Sequence, residues 1–277
     1  MVRRIPVVSV ILVVLVLAIS AVPLIYLITV SFFTQASYYG SELRVTLSNL
    51  RVFALPAFVR SIEVSLATAA AGSILSLAVT IAAAYGFFIF YTSGSGTFPL
   101  PARMLLGGFL LLLVFNGGIV PLYMVVRHLR LVDTYASLFV PYLLNFLLVL
   151  YCLEQFRQVP ASLLEAGRLE GLRETGILVR IIVPLKIRLL VSLGIVHFVL
   201  HWNNWYPGVL YINSPAKRPV QVFLRDLLFS DQSFQQLGIG RTAISPPERM
   251  SFVLMSILPV LLAYGFLLLF NRKGKGG

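Results

Sequence analysis

The chain has 277 residues, of which 58% are hydrophobic and 12% are charged, and its mean hydropathy of +0.92 excludes an ordinary soluble domain. Its net charge of +12 comes from Lys and Arg residues scattered over short loops, a distribution that argues against nucleic-acid binding and is typical of loops between membrane spans. The single cysteine, Cys152, excludes an intramolecular disulfide.

Six apolar stretches are long enough to cross a hydrocarbon core about 30 Å thick, which takes about 20 residues. A cleaved signal peptide is the alternative for the first stretch, because Ala18-Ile19-Ser20 resembles a cleavage site, but the apolar run continues well past it and favours an uncleaved span. We therefore predict an all-α integral membrane protein with a single transmembrane domain over residues 1–277. The predicted transmembrane helices are at about 7–30, 62–91, 104–126, 135–156, 187–212 and 251–270.

Three of these spans carry local signals. The second is rich in Ala, Ser and Gly, which let helices approach closely in lipid and predict a central position in the bundle. The third is interrupted by Asn116-Gly117-Gly118 and Pro121, and the fourth contains Pro141 and Asn145. Lipid tolerates such breaks only where neighbouring groups satisfy the freed backbone, so each one predicts either a kink that lines a cavity or a kink that serves packing.

A polar segment at 157–186 separates the fourth and fifth spans. Pro160 suits the first turn of a helix, where its missing N–H costs nothing, and Gly171 suits the left-handed residue just past a helix end. Between them we predict a helix of about ten residues, roughly 15 Å long, in which Ala166 and Gly167 form a smooth patch. Charged side chains surround this patch: Glu165, Arg168 and Glu170. Such a helix is suited to docking in a groove of another protein, and the alternative is an amphipathic helix lying on lipid headgroups.

The fifth span ends in a run of polar and aromatic residues. His197 and His201 are four positions apart and therefore share one helical face, which is the spacing of a zinc pair, but the segment between them lacks the glutamate of a metalloprotease motif. A substrate path or gate is the functional hypothesis for this run, because indoles stack on sugar rings and amides bond sugar hydroxyls. An interfacial aromatic belt is the alternative, and it explains the aromatic members better than the polar ones. The run comprises His201, Trp202, Asn203, Asn204 and Trp205.

The connection at 213–249 is long and polar, and its 219–229 part predicts a short amphipathic helix. If the N-terminus is cytoplasmic, that side holds twelve of the 22 Lys and Arg residues, which favours cytoplasmic N- and C-termini by a small margin. The same orientation places the 157–186 segment in the cytoplasm and the 213–249 loop outside it.

The polar segment resembles the EAA signature of permease subunits of bacterial ABC importers, in the order Glu165-Ala166-Gly167-x-x-Glu170-Gly171 with Pro184 thirteen positions after the glycine. Two further runs resemble the carbohydrate branch of that family, especially its permeases for polysaccharide-derived oligosaccharides. They are Asn116-Gly117-Gly118-Ile119-Val120-Pro121 and His201-Trp202-Asn203-Asn204-Trp205. The resemblance covers roughly residues 60–270. Three positions depart from the usual pattern: Gly167, Glu170 and Leu172.

The resemblance implies that the 160–171 helix is a coupling helix in a cleft of a cytoplasmic ATPase. Glu165 would pair with a basic residue there, Ala166 and Gly167 would permit close approach, and Gly171 would make the sharp turn. Residues 172–184 would form a second short helix that passes the movement to the fifth span. The bulk of Leu172 beside the patch departs from the family pattern.

The resemblance also implies partners. The chain contains no G-x-x-x-x-G-K-[ST] loop, so we expect no cofactor in this chain, with ATP and Mg²⁺ held by two cytoplasmic ATPase subunits. A second homologous permease, an extracytoplasmic solute-binding protein that contacts the 213–249 loop, an oligosaccharide substrate and membrane lipid complete the expected set, with no nucleic acid. The expected location is the bacterial plasma membrane.

Two other classes of protein remain as alternatives. A stand-alone channel or secondary transporter requires intramembrane carboxylates or repeats, for which Glu63 and Glu154 are the available acids. An intramembrane metalloenzyme would use His197 and His201. Both alternatives would work without an ATPase.

Overall fold

The computed structural model describes residues 7–40, 42–93, 98–115, 117–229 and 244–272. Within these ranges the chain is almost entirely helical, with one isolated antiparallel bridge between Phe33 and Val45. The α-helices are α1 (Val7–Ser31), α2 (Gln35–Tyr38), α3 (Pro56–Ser93), α4 (Leu100–Val114), α5 (Ile119–His128), α6 (Phe146–Arg157), α7 (Ala161–Leu169), α8 (Glu174–Ile177), α9 (Val183–Leu185), α10 (Ile187–Trp202), α11 (Trp205–Tyr211), α12 (Val220–Phe229) and α13 (Pro246–Arg272).

Three helices of the described chain are long and apolar enough to cross a membrane, at Val10–Ser31, Pro56–Thr92 and Pro246–Phe270. They match the first, second and sixth predicted spans, although the second begins six residues earlier than predicted. The fourth predicted span is a pair of helical pieces, Tyr135–Tyr142 and Phe146–Arg157, bent by 53°. The third and fifth are each split into shorter helices, so helix length alone supports three or four spans, and six remains a prediction.

The third span breaks where the sequence predicts a break. α4 ends at Val114, and α5 starts after Gly118, which has a left-handed φ of 86° that a glycine adopts without strain. Pro121 lies in the first turn of α5, where its missing N–H leaves no hydrogen bond unmade. Asn116, predicted to line a substrate path, lies outside the described residues.

The bend in the fourth span also has a local cause. The 3₁₀ segment Val140–Tyr142 carries Pro141 near its start, and α6 begins afresh at Phe146. Asn145 is the N-cap of α6, because its side-chain oxygen accepts a hydrogen bond from the N–H of Leu148 at 3.3 Å. This polar side chain therefore satisfies the freed backbone at the break, which favours the packing interpretation of Asn145 over the substrate path.

Helix α3 is central, as its small residues predict. It packs against α6, α10 and α12, and it runs antiparallel to α10. Gly72 provides the closest approach: a Cβ atom built there would lie 2.8 Å from Cβ of Phe139 and 2.9 Å from Cγ of His201. The absence of a side chain at Gly72 therefore lets α10 and the bent fourth span lie directly on α3.

Two clusters of buried side chains lie at opposite ends of α3. We call the two ends of the molecule the α7 end and the α12 end, after the helix found at each. The cluster at the α7 end includes Phe88, Phe156, Leu164, Ile177 and Ile182. The cluster at the α12 end includes Phe58, Trp202, Phe223, Leu227 and Phe252. Both clusters bring together helices that are distant in sequence, so they fix which connections share an end.

Polar contacts agree with the predicted sides of the membrane. At the α12 end, Asn49 donates from its amide to the carbonyl of Ser31 at 2.9 Å, and the hydroxyl of Ser251 donates to the same carbonyl at 3.1 Å. At the α7 end, the guanidinium of Arg157 lies 4.3 Å from the ring centroid of Tyr91. Connections predicted to lie on one side of the membrane thus meet at one end of the molecule.

The close approach at Gly72 can be tested by adding one methyl group. Gly72→Ala places that group against Phe139 and His201, and overpacking of this kind costs roughly 1–3 kcal/mol. Gly86→Ala on the same helix is the matched control, because a Cβ there meets no atom within 4 Å. We expect Gly72→Ala to lower the unfolding temperature in detergent while Gly86→Ala leaves it unchanged or raises it. Equal effects of the two substitutions would contradict this packing.

Candidate functional site

The polar segment folds into the helix that its flanking residues predict. α7 has nine residues, with Pro160 at the N-cap, one position before the first turn where the sequence suggested it. At the other end Gly171 has a φ of 78°, and the N–H groups of Gly171 and Leu172 donate to the carbonyls of Arg168 and Gly167, both at 3.0 Å. These bonds form a Schellman motif, which ends the helix sharply.

The exposed face of α7 differs in one respect from the predicted patch. Ala166 is exposed, but Gly167 is buried, and a Cβ at Gly167 would lie 2.6 Å from Cδ1 of Ile181. The small size of Gly167 therefore serves packing inside this chain, and its predicted role in admitting a partner is corrected. The sequence analysis missed Leu169, whose side chain is 90% exposed. The remaining exposed positions near the C-terminal end of α7 are Glu165, Arg168 and Glu170.

A widened helical turn follows α7. The predicted second short helix consists of α8, a π-helical turn at Leu178–Ile182, and α9, which ends at Leu185. Pro184 explains the widening, because it has no N–H to offer the carbonyl four residues earlier and its ring crowds that carbonyl. A π turn relieves this conflict without ending the helix. The segment therefore continues from α8 to the start of α10 as one helical path.

One carboxylate connects this segment to α3. The hydroxyl of Tyr85 donates to Oε2 of Glu174 at 2.7 Å and to its backbone carbonyl at 2.9 Å. Oε1 of Glu174 accepts from Nη2 of Arg168 at 3.2 Å. We call this set the Glu174 link: Tyr85, Glu174 and Arg168.

The two side-chain bonds to the carboxylate of Glu174 differ in strength. The ion pair between Arg168 and Glu174 is partly exposed, with 44% and 42% of the two side chains accessible, so it contributes no more than about 1 kcal/mol. The bond from Tyr85 involves a charged acceptor and a buried ring, and such bonds contribute about 1.5–3 kcal/mol. The sequence analysis missed Tyr85 and Glu174, which are 89 residues apart.

His197 and His201 share one face of α10, as their spacing predicts, and they face α3. Nε2 of His197 lies 3.0 Å from the hydroxyl of Thr80, and Nε2 of His201 lies 2.9 Å from the hydroxyl of Ser76. Each imidazole thus has its own partner, and the described residues contain no group of three or more potential metal ligands. The two histidines join α10 to α3, so the structure favours contact with a neighbouring helix over a zinc pair.

Trp202 does not line a path. Its side chain is 2% exposed, its ring stacks on Phe198, and its indole N–H donates to the carbonyl of Ser256 at 3.2 Å. The amphipathic character of an indole explains the error, since a buried tryptophan needs one hydrogen-bond acceptor and finds it on α13. Trp202 belongs to the core at the α12 end.

Other members of the same run line a cavity of about 520 Å³ between α11, α12 and α13. We call it the α12 cleft. Asn203 and Trp205 lie on one side, and Gln221 and Arg225 reach it from α12. Its remaining lining residues are Leu224, Leu228, Phe229, Val253, Ser256, Ile257 and Val260. Asn204 faces away, with its amide nitrogen 3.5 Å from the carbonyl of Leu138.

The α12 cleft combines features that suit a sugar. Trp205 is 48% exposed and so offers a ring face, while two amides offer donors and acceptors for hydroxyl groups. Arg225 comes no closer than 3.7 Å to Asp226, whose other carboxylate oxygen pairs with Arg218 at 3.0 Å. The volume falls in the range of about 300–1,000 Å³ typical of ligand pockets. The sequence analysis missed Gln221 and Arg225, since nothing local indicates that α12 folds back on the end of α10.

The amphipathic helix predicted at 219–229 is confirmed as α12. Its apolar face is buried, with Val220, Phe223 and Leu227 at 2% exposure or less. The N–H of Val220 donates to the hydroxyl oxygen of Ser65 on α3 at 2.8 Å, which satisfies one of the free amides at the start of the helix. α12 is therefore held against α3 by both packing and a buried hydrogen bond.

Asp133 holds the loop that leads into α12. Its Oδ1 accepts from the N–H groups of Asn213 and Ser214 at 3.0 and 2.9 Å. Its Oδ2 accepts from the hydroxyl of Ser214 at 2.6 Å and from Nζ of Lys217 at 3.1 Å. These donors, the hydroxyl of Ser214 first among them, hold the pKa of the Asp133 carboxyl well below its usual range.

The chain is similar in sequence to two proteins of Bacillus subtilis, although no family model matches it. Protein LplC of Bacillus subtilis (strain 168) is 31% identical over 267 residues, which cover 91% of this chain and 86% of LplC. The polygalacturonan/rhamnogalacturonan transport system permease protein YtcP of the same organism is 31% identical over 169 residues, 58% of each chain.

A solved structure has the same fold. It is the crystal structure of a bacterial ABC transporter involved in the import of the acidic polysaccharide alginate, and it matches with a TM-score of 0.79. The match covers 94% of both chains at 20% sequence identity. The described helices thus follow an architecture that exists in a transporter complex.

The Asp133 contacts predict a pH dependence of stability. Because the folded-state pKa is lowered, the stabilisation is present above the ordinary aspartate value of about 3.9 and is lost as the pH falls below it. We expect thermal unfolding of the wild type, followed from pH 7 downward, to show this loss, and the Asp133→Asn variant to lack that component. If the unfolding temperatures of the two proteins fell in parallel below pH 5, the stabilising role of Asp133 would be contradicted.

Proposed function

Because this chain belongs to the permease subunits of carbohydrate ABC importers, we propose that it forms one half of the membrane pathway of an oligosaccharide importer driven by ATP. Proteins of this family are transport components of the cell membrane and are not enzymes. In this proposal ATP and Mg²⁺ are bound by two separate cytoplasmic ATPase subunits. A second homologous permease and an extracytoplasmic solute-binding protein complete the assembly.

We propose six crossings of the bacterial plasma membrane, with both termini in the cytoplasm. The third, fourth and fifth crossings are broken helices, with breaks between α4 and α5, near Asn145 and between α10 and α11. Support comes from the meeting of connections at the two ends: Asp133 with Ser214 at the α12 end, and Tyr91 with Arg157 at the α7 end. In this orientation the α7 end is cytoplasmic, as the placement of Lys and Arg favours.

The docking element is α7, and the exposure of Leu169 is the observation that carries this assignment. A 90% exposed leucine between Arg168 and Glu170 presents an apolar contact inside a charged rim. Leu164 and Gly167 hold the opposite face of the helix against this chain. A short helix so presented fits a groove of an ATPase.

The remaining signature residues take the following roles in the proposal. Glu165 pairs with a basic residue of the ATPase, Ala166 permits close approach, and Gly171 makes the turn that returns the chain to the bundle. Pro184 and the π turn before it pass the movement from α8 to α10. ATP binding brings the two ATPases together, moves the docked helices, and shifts the bundle from an inward-open to an outward-open state. Shifts of this kind need a coupling free energy of about 1–3 kcal/mol between sites.

The substrate path in this proposal passes the α12 cleft. The ring of Trp205 stacks on a sugar, the amides of Asn203 and Gln221 bond hydroxyl groups, and the guanidinium of Arg225 pairs with a carboxylate. Such a cleft suits a sugar acid unit, in keeping with the relative YtcP, named for polygalacturonan and rhamnogalacturonan transport. His197, His201 and Asn204 act here by holding α10 in place.

A channel or secondary transporter that works alone is the competing function. Among the described residues, Glu63 pairs with Arg60 at 3.3 Å and Glu154 with Arg157 at 2.8 Å, and all four side chains are at least 35% exposed. These carboxylates therefore lie at helix ends with partners of their own, which does not favour a proton relay. Uptake by the purified chain in vesicles without ATPase subunits would support this competitor.

Gly171→Pro tests the docking role of α7. Proline is restricted to a φ near −65°, while Gly171 has a φ of 78°, so the turn after α7 cannot form. We expect the variant to insert in the membrane but to lose both ATP-dependent uptake and co-purification of ATPase subunits. Gly40→Pro is the matched control, because Gly40 also has a left-handed φ, of 81°, but lies in a loop at the α12 end. Normal uptake by Gly171→Pro would contradict the assignment.

Arg225→Gln tests the α12 cleft. Loss of one charge-assisted hydrogen bond of about 1.5–3 kcal/mol should raise the apparent KM for uptake of an oligogalacturonate by at least about tenfold. Uptake of a neutral oligosaccharide of the same length should change little, and Trp205→Ala should impair both. Arg44→Gln is the control for charge, since Arg44 is an exposed side chain outside the cleft. An unchanged KM in Arg225→Gln would show that Arg225 does not bind the carboxylate of the substrate.

A further inference from the structure

Two polar contacts of α3, one near each end, connect the docking segment to the α12 cleft. Given the proposed function, on which this step rests, we infer that α3 carries the movement of α7 to α12, in parallel with the path through α10. The two contacts are the Glu174 link at the α7 end and the bond between Ser65 and Val220 at the α12 end. Tyr85 and Ser65 are positioning residues in this inference.

At the α7 end the link joins the docking segment to α3 through contacts of unequal strength. The carboxylate of Glu174 uses one oxygen for Tyr85 on α3 and the other for Arg168 on α7. The backbone carbonyl of Glu174 lies 2.9 Å from the hydroxyl of Tyr85 and shares its single proton with the carboxylate, so the contact also reaches the main chain of α8. A displacement of α7 and α8 must therefore move α3 or break these bonds.

Between the two contacts α3 is continuous. The helix has 38 residues, and its one proline, Pro56, is at the first position, where it does not interrupt the hydrogen bonds of the helix. Tyr85 and Ser65 are twenty residues apart, which corresponds to about 30 Å along the axis. Within that interval Thr80 and Ser76 bond to the two histidines of α10, so α3 also contacts α10 between its two ends.

At the α12 end the contact is a hydrogen bond to the backbone of α12. Ser65 is 2% exposed and Val220 fully buried, and the bond between them occupies an amide that has no partner within α12. Gln221 and Arg225 follow within two turns on the same helix and line the α12 cleft. A shift of α3 along its axis would therefore move these two side chains relative to Trp205.

The movement can be followed with a fluorescent label on α12. Phe229 lines the α12 cleft but is not one of the residues proposed to contact the sugar, and it is 83% exposed, so Phe229→Cys provides a labelling site. The native Cys152 is fully buried and does not compete for the reagent. The labelled chain is assembled with its co-purified partners, and Mg-ATP is added as the probe. The emission change of the label and the rate of ATP hydrolysis are measured in the same samples.

We expect Tyr85→Phe, which keeps the buried ring and removes the hydroxyl, to reduce the ATP-dependent emission change by about fivefold or more while ATP hydrolysis persists. Ser65→Ala, which removes the other contact, should do the same. Tyr264→Phe is the matched control, since Tyr264 is an exposed residue of α13, and it should behave as the wild type. Thermal unfolding of each variant verifies that the fold is retained.

The outcomes separate this inference from the docking assignment. If Gly171→Pro abolishes ATPase binding but Tyr85→Phe and Ser65→Ala respond to ATP as the wild type does, the transmission through α3 is wrong and docking stands. If Gly171→Pro still binds the ATPases, the docking assignment itself fails, and the inference fails with it. Loss of the emission change in both single variants with hydrolysis intact supports transmission through α3.

Discussion

The close contact of α3 with α10 is the interaction on which the rest of the structure depends. Lipid offers no hydrophobic driving force for two apolar helices to associate, so contact distance and polar pairs decide which helices associate. Gly72 lets α3 and α10 approach closely because it has no side chain. The pairs of Ser76 with His201 and Thr80 with His197 are the polar contacts between the two helices. Both buried clusters are built outward from this pair of helices, one at each end of α3.

The breaks in the spans follow from a second constraint, which is that backbone groups freed inside a membrane need partners. Some of the described breaks supply such a partner or reduce the number that is needed. Pro121 removes one of the N–H groups in the first turn of α5 that would otherwise need an acceptor, and the side chain of Asn145 caps α6. At the end of α10, the N–H of Asn203 bonds back to Val199 before α11 begins at Trp205. Of the three helix starts at these described breaks, the one at α6 has a side-chain cap, and those at α5 and α11 do not.

The sequence predicts correctly those features that depend on neighbouring residues alone, such as the ends of a helix. Pro160 and Gly171 predicted the bounds of α7 almost to the residue, because a cap and a left-handed turn are set by the chain itself. The hydrogen bond between Tyr85 and Glu174 could not be predicted from the sequence, since it depends on how α8 lies on α3. The sequence analysis grouped Trp202 with the substrate path because an indole suits a core and a cleft equally well, and its burial against α13 depends on packing that the sequence does not show. Family resemblance predicted the kind of protein, and packing decided which residues of the motif face outward.

The Glu174 link joins α7 to α8 more weakly than it joins α8 to α3. Its ion pair is half exposed and weak, so Arg168 can leave Glu174 for a carboxylate of a partner at little free-energy cost. The bond from Tyr85 to the same carboxylate is shielded by the buried ring and loses more if broken. A partner that attracts Arg168 would thus loosen α7 from α8 before it loosens α8 from α3. In the proposed assembly, this order would let α7 adjust to an ATPase while the contact between α8 and α3 stays intact.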